Sequence, residues 1–187
     1  MASLPFAEAA AAFNRPEHVL TPNLVHRRTV EPPLPNVSFD PKVLKTAGED
    51  GFILALGDDD ITFGILHGFR GILRSHSYVG DMSSPLIPHG KWVLILPVLP
   101  DSHGWTPEQF HDRTLKSEVA PSPEELLYVL SLLKLSTTSR SIPGFREACC
   151  GIRDGERIGV TTRGGRSLSI GKASNRAPWA VSKLPTS

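Results

Sequence analysis

The chain has little sulfur chemistry to draw on. Its 187 residues include two cysteines, Cys149 and Cys150, and they are adjacent. Neighbouring cysteines rarely reach disulfide geometry without strain, and two thiols cannot by themselves fill a four-ligand metal site. The pair therefore argues for a reducing, cytoplasmic setting and against a disulfide scaffold. No run of eighteen apolar residues occurs, so no membrane span and no membrane partner is expected. The opening "MASLPFAEAAAAFNRPEH" lacks a basic n-region and carries Pro5 and Glu8, which does not suit a secretory leader. No repeat of twenty residues or more is present, which excludes solenoids and propellers.

What the chain does hold is turn formers. Seventeen prolines and sixteen glycines accompany 40% apolar and 21% charged residues. That composition fits a soluble globule of short strands and many loops rather than a helical bundle. The prolines concentrate early: seven fall within residues 1–48, and apolar periodicity there is confined to "FAEAAAAF". Each proline removes a backbone donor and biases the residue before it toward extended geometry. Residues 1–48 are therefore expected as a Pro-rich, partly disordered extended arm, removable without loss of folding and available to a protein partner. Residues 49–187 are expected as a single α+β domain, an antiparallel sheet with one or two packed helices.

Within that domain, "GFILALGDDDITFGILHGFRGIL" reads as two apolar runs joined at Gly57 to Asp60, a hairpin with a longish turn. The three aspartates read as a solvated turn. "KWVLILPVLP" is a further buried strand, which Pro97 and Pro100 push toward a sheet edge or an early end. "WTPEQFHDRTL" and "SPEELLYVLSLLKL" carry the same helix start, with Thr106 or Ser122 as N-cap, Pro next, and Gln109 or Glu125 completing a capping box. Leu126, Leu127, Leu130 and Leu133 lie at helical spacing as the core face of the second. The remainder, "ACCGIRDGERIGVTTRGGRSLSIGKAS" and then "PWAVSKL", reads as a meander with turns at Asp154-Gly155 and Gly164-Gly165.

The stretch "GDMSSPLIPHGKWVLI" has Gly80, Asp81, Pro85 and Leu86 in register with a nucleophile loop, and Gly90, Trp92 and Leu94 suit the strand after it. It resembles the Gly-Asp-Ser-Gly-Gly-Pro-Leu loop of chymotrypsin-like serine proteases, over less than a tenth of the chain. In that family the Ser is the attacking group. Here Met82 occupies its position, and a thioether carries no proton to lose. Ser83 and Ser84 fill the two glycine positions. The resemblance therefore implies no protease activity, and a Ser/Pro turn leading into a strand remains the plain reading.

Net charge is +1, but it is uneven. Residues 140–187 hold nine Lys or Arg against three Asp or Glu, leaving eleven against sixteen in the rest. A basic terminal meander of this kind makes Arg153, Arg157, Arg163, Arg166, Lys172 and Arg176 the candidates for phosphate or nucleic-acid contact. "TTRGGRSLSIGK" is not a phosphate loop, because its glycine gap is one residue too long and Ala173 stands where a hydroxyl is required. His76, His89, His103 and His111, close in sequence to Asp81, Asp101 and Asp112, are the candidate metal ligands of a metal-dependent hydrolase, although their spacing follows no compact motif. Three functions thus remain: a non-catalytic binding or accessory module, as of a mobile element or multi-protein assembly; a nucleic-acid binder; and a hydrolase. The first is favoured. No cofactor is implied by any motif.

Overall fold

The computed structural model describes residues 3–23, 33–68, 73–76, 83–136, 145–163 and 167–185, with the backbone alone at 68, 73–76 and 163. The chain is α+β, and its strands form two sheets. In chain order the elements are α1 (Phe6–Phe13), a short 3-10 turn, β1 (Val19–Leu20), α2 (Pro41–Glu49), β2 (Ile53–Leu56), α3 (Phe63–Gly68) and β3 (Leu73–His76). There follow β4 (Trp92–Leu96), α4 (Pro107–Arg113), β5 (Glu118–Val119), α5 (Pro123–Ser136), β6 (Glu147–Arg153), β7 (Glu156–Arg163), β8 (Ser167–Lys172) and β9 (Val181–Lys183). The first sheet runs β1-β2-β4-β9-β5 and the second β3-β8-β7-β6. Both are mostly antiparallel, with β1 parallel to β2 and β3 parallel to β8.

Strands β2 and β4 alternate between two cores, as a strand buried on both faces must. Ile53, Ala55, Val93 and Ile95 face one apolar cluster. Leu54, Leu56, Trp92 and Leu94 face the other. The first cluster holds α5, which contacts β1 and β4 of one sheet and β6, β7 and β8 of the other. Every residue from Leu126 to Leu132 is buried, so the helix has no polar stripe at its centre. Its two internal hydroxyls are satisfied locally or across the layer: Ser131 donates to the Leu127 carbonyl at 2.7 Å, and Tyr128 donates to the Leu56 carbonyl at 2.5 Å. Its start is the expected capping box, with Ser122 and Glu125 exchanging bonds of 3.1 Å. The box of α4 is likewise formed by Thr106 and Gln109.

The second cluster draws on the proline-rich segment. Ala9, Phe13, Val37, Phe39, Leu44 and Ala47 are all buried there, and Leu20 joins the first cluster. Far from standing away from the domain, the described part of residues 1–48 covers one face of the first sheet. Phe6 stacks on Trp92 at 5.5 Å, and the Trp92 indole donates to the Pro35 carbonyl at 3.1 Å. Helices α1 and α2 meet at Gly48, where an added Cβ would come within 2.0 Å of the Phe13 carbonyl oxygen. The composition signal was correct locally, since residues around Val37 are extended. It was silent on packing, because the apolar groups are spaced singly between prolines and form no periodic stripe.

Three further expectations are corrected. The second run of the expected hairpin is helix α3, not a strand: Thr62 Oγ1 accepts from the Ile65 amide, and Phe63 and Leu66 are buried at i, i+3. Strand β4 ends at Leu96, just before Pro97, as foreseen, yet it lies inside the sheet between β2 and β9. Finally, "PWAVSKL" does not continue the meander. Its β9 crosses to the first sheet, pairing with β4 and β5. There the Lys183 ammonium meets Glu118 at 2.7 Å and lies 4.8 Å from the Phe52 ring centroid. The β6–β7 turn is as expected, with Asp154 and Gly155 at φ 52 and 76; Gly164-Gly165 lies outside the described residues. Among the described residues no helix is long and apolar enough to cross a membrane.

Two substitutions weigh these packing claims. Leu130→Ala should cost about 2 to 5 kcal/mol, because both sheets close over the helix and little can move into the void. Phe39→Ala should cost about 3 to 5 kcal/mol, because Phe39 is 1% exposed within the second cluster and its removal leaves a cavity there. Denaturant midpoints measured at constant m-value give both numbers. A cost near zero for Phe39→Ala would place the proline-rich segment outside the cooperative unit.

Candidate functional site

The candidate cations of the meander have different surroundings. Arg157 is an internal clamp. Its guanidinium donates to the carbonyls of Trp105 at 2.8 Å and Ala177 at 2.7 Å, and it lies 5.1 Å from the Trp179 ring centroid. Trp179 in turn stacks on Phe110 at 4.6 Å and donates its indole N–H to the Trp105 carbonyl at 2.9 Å. Lys172 holds Glu156 at 2.6 Å on the surface. Arg153 is exposed at the end of β6, and Arg176 is exposed before β9. The Arg163 side chain and all of Arg166 lie outside the described residues.

The histidines are dispersed. The His103 ring Nδ1 lies 3.2 Å from the Arg176 carbonyl oxygen, and the His89 backbone amide donates to Asp59 at 2.8 Å. His111 is exposed on α4, and His76 lies on β3. Among the described residues no three His, Cys, Asp or Glu side chains come together. The aspartate run is not simply solvated: Asp58 is 7% exposed and accepts from the Asp60 amide at 2.8 Å, closing an Asx turn. Of the protease-like stretch, Gly80, Asp81 and Met82 lie outside the described residues. Pro85 bridges to Thr62, and Leu86 and Ile87 are buried.

A site that no motif announced lies where β6 passes the first turn of α5. Strand β6 is the edge of the second sheet. Its pairing with β7 slips at Cys149/Gly151, where two residues oppose Ile158. This bulge turns the strand, as an extra unpaired residue does. A groove of about 400 Å³ opens beside it. Cys150, Ile158 and Pro123 form its apolar part, while Ser122 and Glu124 from α5 and Arg153 from β6 supply polar groups. Ile152 lines it while 43% exposed. Gly151 faces it bare: an added Cβ would meet nothing within 4 Å. A second hollow between α1 and α2 is wider, at about 560 Å³, but its polar lining is of surface residues such as Asn14, Arg15 and Lys45.

The two thiols sit on opposite faces of β6, as neighbours in a strand do. Cys150 belongs to the core around α5, Cys149 to the core around Trp179. Burial pushes the Cys150 thiol well up, with further increments from Cys149 and Glu124. Burial also raises Cys149, against lowering effects of a backbone hydrogen bond at Gly151 and of Arg157. Both thiols are therefore protonated at neutral pH, and a protonated thiol is a poor nucleophile. The groove has the makings of a binding surface, with an apolar floor, polar walls and an open strand edge. The only sequence signal for it is Gly151 inside a strand, which commonly marks a bulge or a close backbone approach.

Comparison of the chain with models of known protein families, with curated proteins and with solved structures found no match.

The thiol environment has a pH consequence. Both thiols stay protonated in the folded protein beyond the pH at which unfolded thiols ionise, near about 8.5. Stability is therefore full below that pH and falls as pH rises above it, by up to about 1.4 kcal/mol per pH unit for each thiol. Denaturant titrations between about pH 8 and 10 in reductant should show this slope. It should flatten in the Cys149→Ala, Cys150→Ala double variant. Equal slopes in the two proteins would refute the buried, protonated state.

Proposed function

We propose that the chain is a non-catalytic binding module, and that its ligand occupies the groove between the β6 edge and the first turn of α5. The observation that carries this reading is the groove itself. It joins an apolar floor in which Cys150 is only 4% exposed to a rim of Ser122, Glu124 and Arg153. Apolar pockets with a few convergent polar groups are the usual form of a ligand site. The thiol on its floor is protonated and deactivated by burial, which suits recognition rather than covalent chemistry.

The nucleic-acid reading draws less support. Two of its cations, Arg157 and Lys172, hold partners within the chain, so phosphate contact there would break existing bonds. The hydrolase reading would need His89, His103 and His111 to act together from three separate segments.

The experiment is a ligand selection with a matched blocked protein. Wild type and Gly151→Trp are each presented to a random-peptide phage library and to a fragment collection. Because Gly151 faces open space, the indole should fill the groove without disturbing the fold, which circular dichroism and the unfolding midpoint will verify. Ligands selected on the wild type are expected to bind Gly151→Trp at least about tenfold more weakly, the equivalent of ~1.4 kcal/mol. Ligands that bind both proteins equally would place the site elsewhere and overturn the assignment.

A further inference from the structure

We infer that the ligand of this groove is an extended polypeptide segment of another protein, which adds as a strand to the β6 edge; the inference rests on the groove being the binding site. The pairing register decides which backbone groups of β6 face outward. In an antiparallel ladder, residues alternate between bonding the neighbouring strand and facing away. The Thr162 amide donates to the Arg146 carbonyl, so Glu147, opposite Thr161, faces away, Ala148 bonds β7, and Cys149 faces away. The bulge then spends two residues, Cys150 and Gly151, opposite Ile158. Ile152, opposite Arg157, therefore faces away again, in agreement with the Arg157 carbonyl turning to accept from Ala173 on the far side.

Of these outward residues, Cys149 already takes an extended segment. Its amide donates to the Pro178 carbonyl at 2.7 Å, and its carbonyl accepts from the Ala180 amide at 2.8 Å. The chain thus demonstrates strand addition on this edge, with Trp179 bridged parallel to Cys149. At Ala180 the segment departs toward the first sheet, where Val181 pairs with Leu96. The edge continues without it to Ile152, whose outward donor and acceptor have no backbone partner among the described residues. Those two groups stand beside the groove. A peptide main chain offers the complementary acceptor and donor at the matching spacing, which is the usual basis of strand addition. Gly151, lacking a Cβ, lets a second backbone come close. The Glu124 carboxylate on the helix side complements a segment that carries a basic side chain toward α5, beside an apolar residue over Cys150 and Ile158.

The test uses the full chain and a peptide selected as above. Two measurements report on strand addition. Hydrogen exchange of the Ile152 amide should slow at least about tenfold when peptide is bound, since a bonded amide exchanges only on opening. A set of peptides N-methylated at one position each should contain one whose affinity drops at least about tenfold, because methylation removes the bridging donor while keeping the side chain. Unchanged Ile152 exchange with no sensitive N-methyl position would overturn strand addition while leaving the groove as the site. So would a selection in which only fragments, and no peptides, depend on Gly151. Loss of Gly151 dependence for every ligand would overturn the groove and this inference together. Dimerisation of the protein alone, abolished by Gly151→Trp, would replace the foreign peptide with a second copy and also overturn the proposal.

Discussion

The complete burial of α5 is the constraint from which the rest follows. A helix with seven consecutive buried residues cannot rest on one surface; it needs walls on every side. Two sheets supply them, and neither could stand alone with its inner face bare. The layer order is therefore fixed by the helix. So is the role of the proline-rich segment, because once α5 occupies one face of the first sheet, the opposite face of β2 and β4 needs its own cover. Helices α1 and α2 and the extended run through Val37 and Phe39 provide it. Tyr128 and Leu56 tie helix and sheet where apolar contact alone would leave sliding free.

How far this was legible in the sequence depends on whether the signal was local. Thr106-Pro107 and Ser122-Pro123 announced two helices, since capping chemistry involves only neighbours. Asp154-Gly155 announced its turn because two positive φ angles in a row favour that pair. The α+β class followed from these and from the apolar runs. The misread elements turned on distant partners. "ITFGILHG" is apolar enough for a strand or a helix, and its choice rests on Ile61, Phe63 and Leu66 reaching a core assembled elsewhere. "PWAVSKL" gives no hint that it leaves one sheet for the other. Phe13, Phe39 and Leu44 are scattered among prolines, and only the folded chain shows them to be neighbours.

The candidate site was the least legible part, and for a physical reason. Arg157 was singled out as a cation, yet its guanidinium is occupied by two carbonyls and an aromatic face. Formal charge is visible in a sequence; what neutralises it is not. The groove, conversely, depends on a single residue inserted into β6. One bulge moves the outward position from Gly151 to Ile152 and leaves a glycine facing the open space beside it. Apart from the glycine inside the strand, nothing in the sequence reports a slip of one residue or says where along β6 it falls.

The crossing of β9 into the first sheet also bears on biosynthesis. A ribosome delivers β2 and β4 early, but the strand that covers the outer edge of β4 comes from residues 181–183. Throughout the intervening synthesis the end of this five-residue apolar strand has one side unpaired, the condition under which nascent chains stick to one another or recruit holdase chaperones. The second sheet can close its own hairpins while the first waits. The final step stitches the late strand between two earlier ones, β4 and β5.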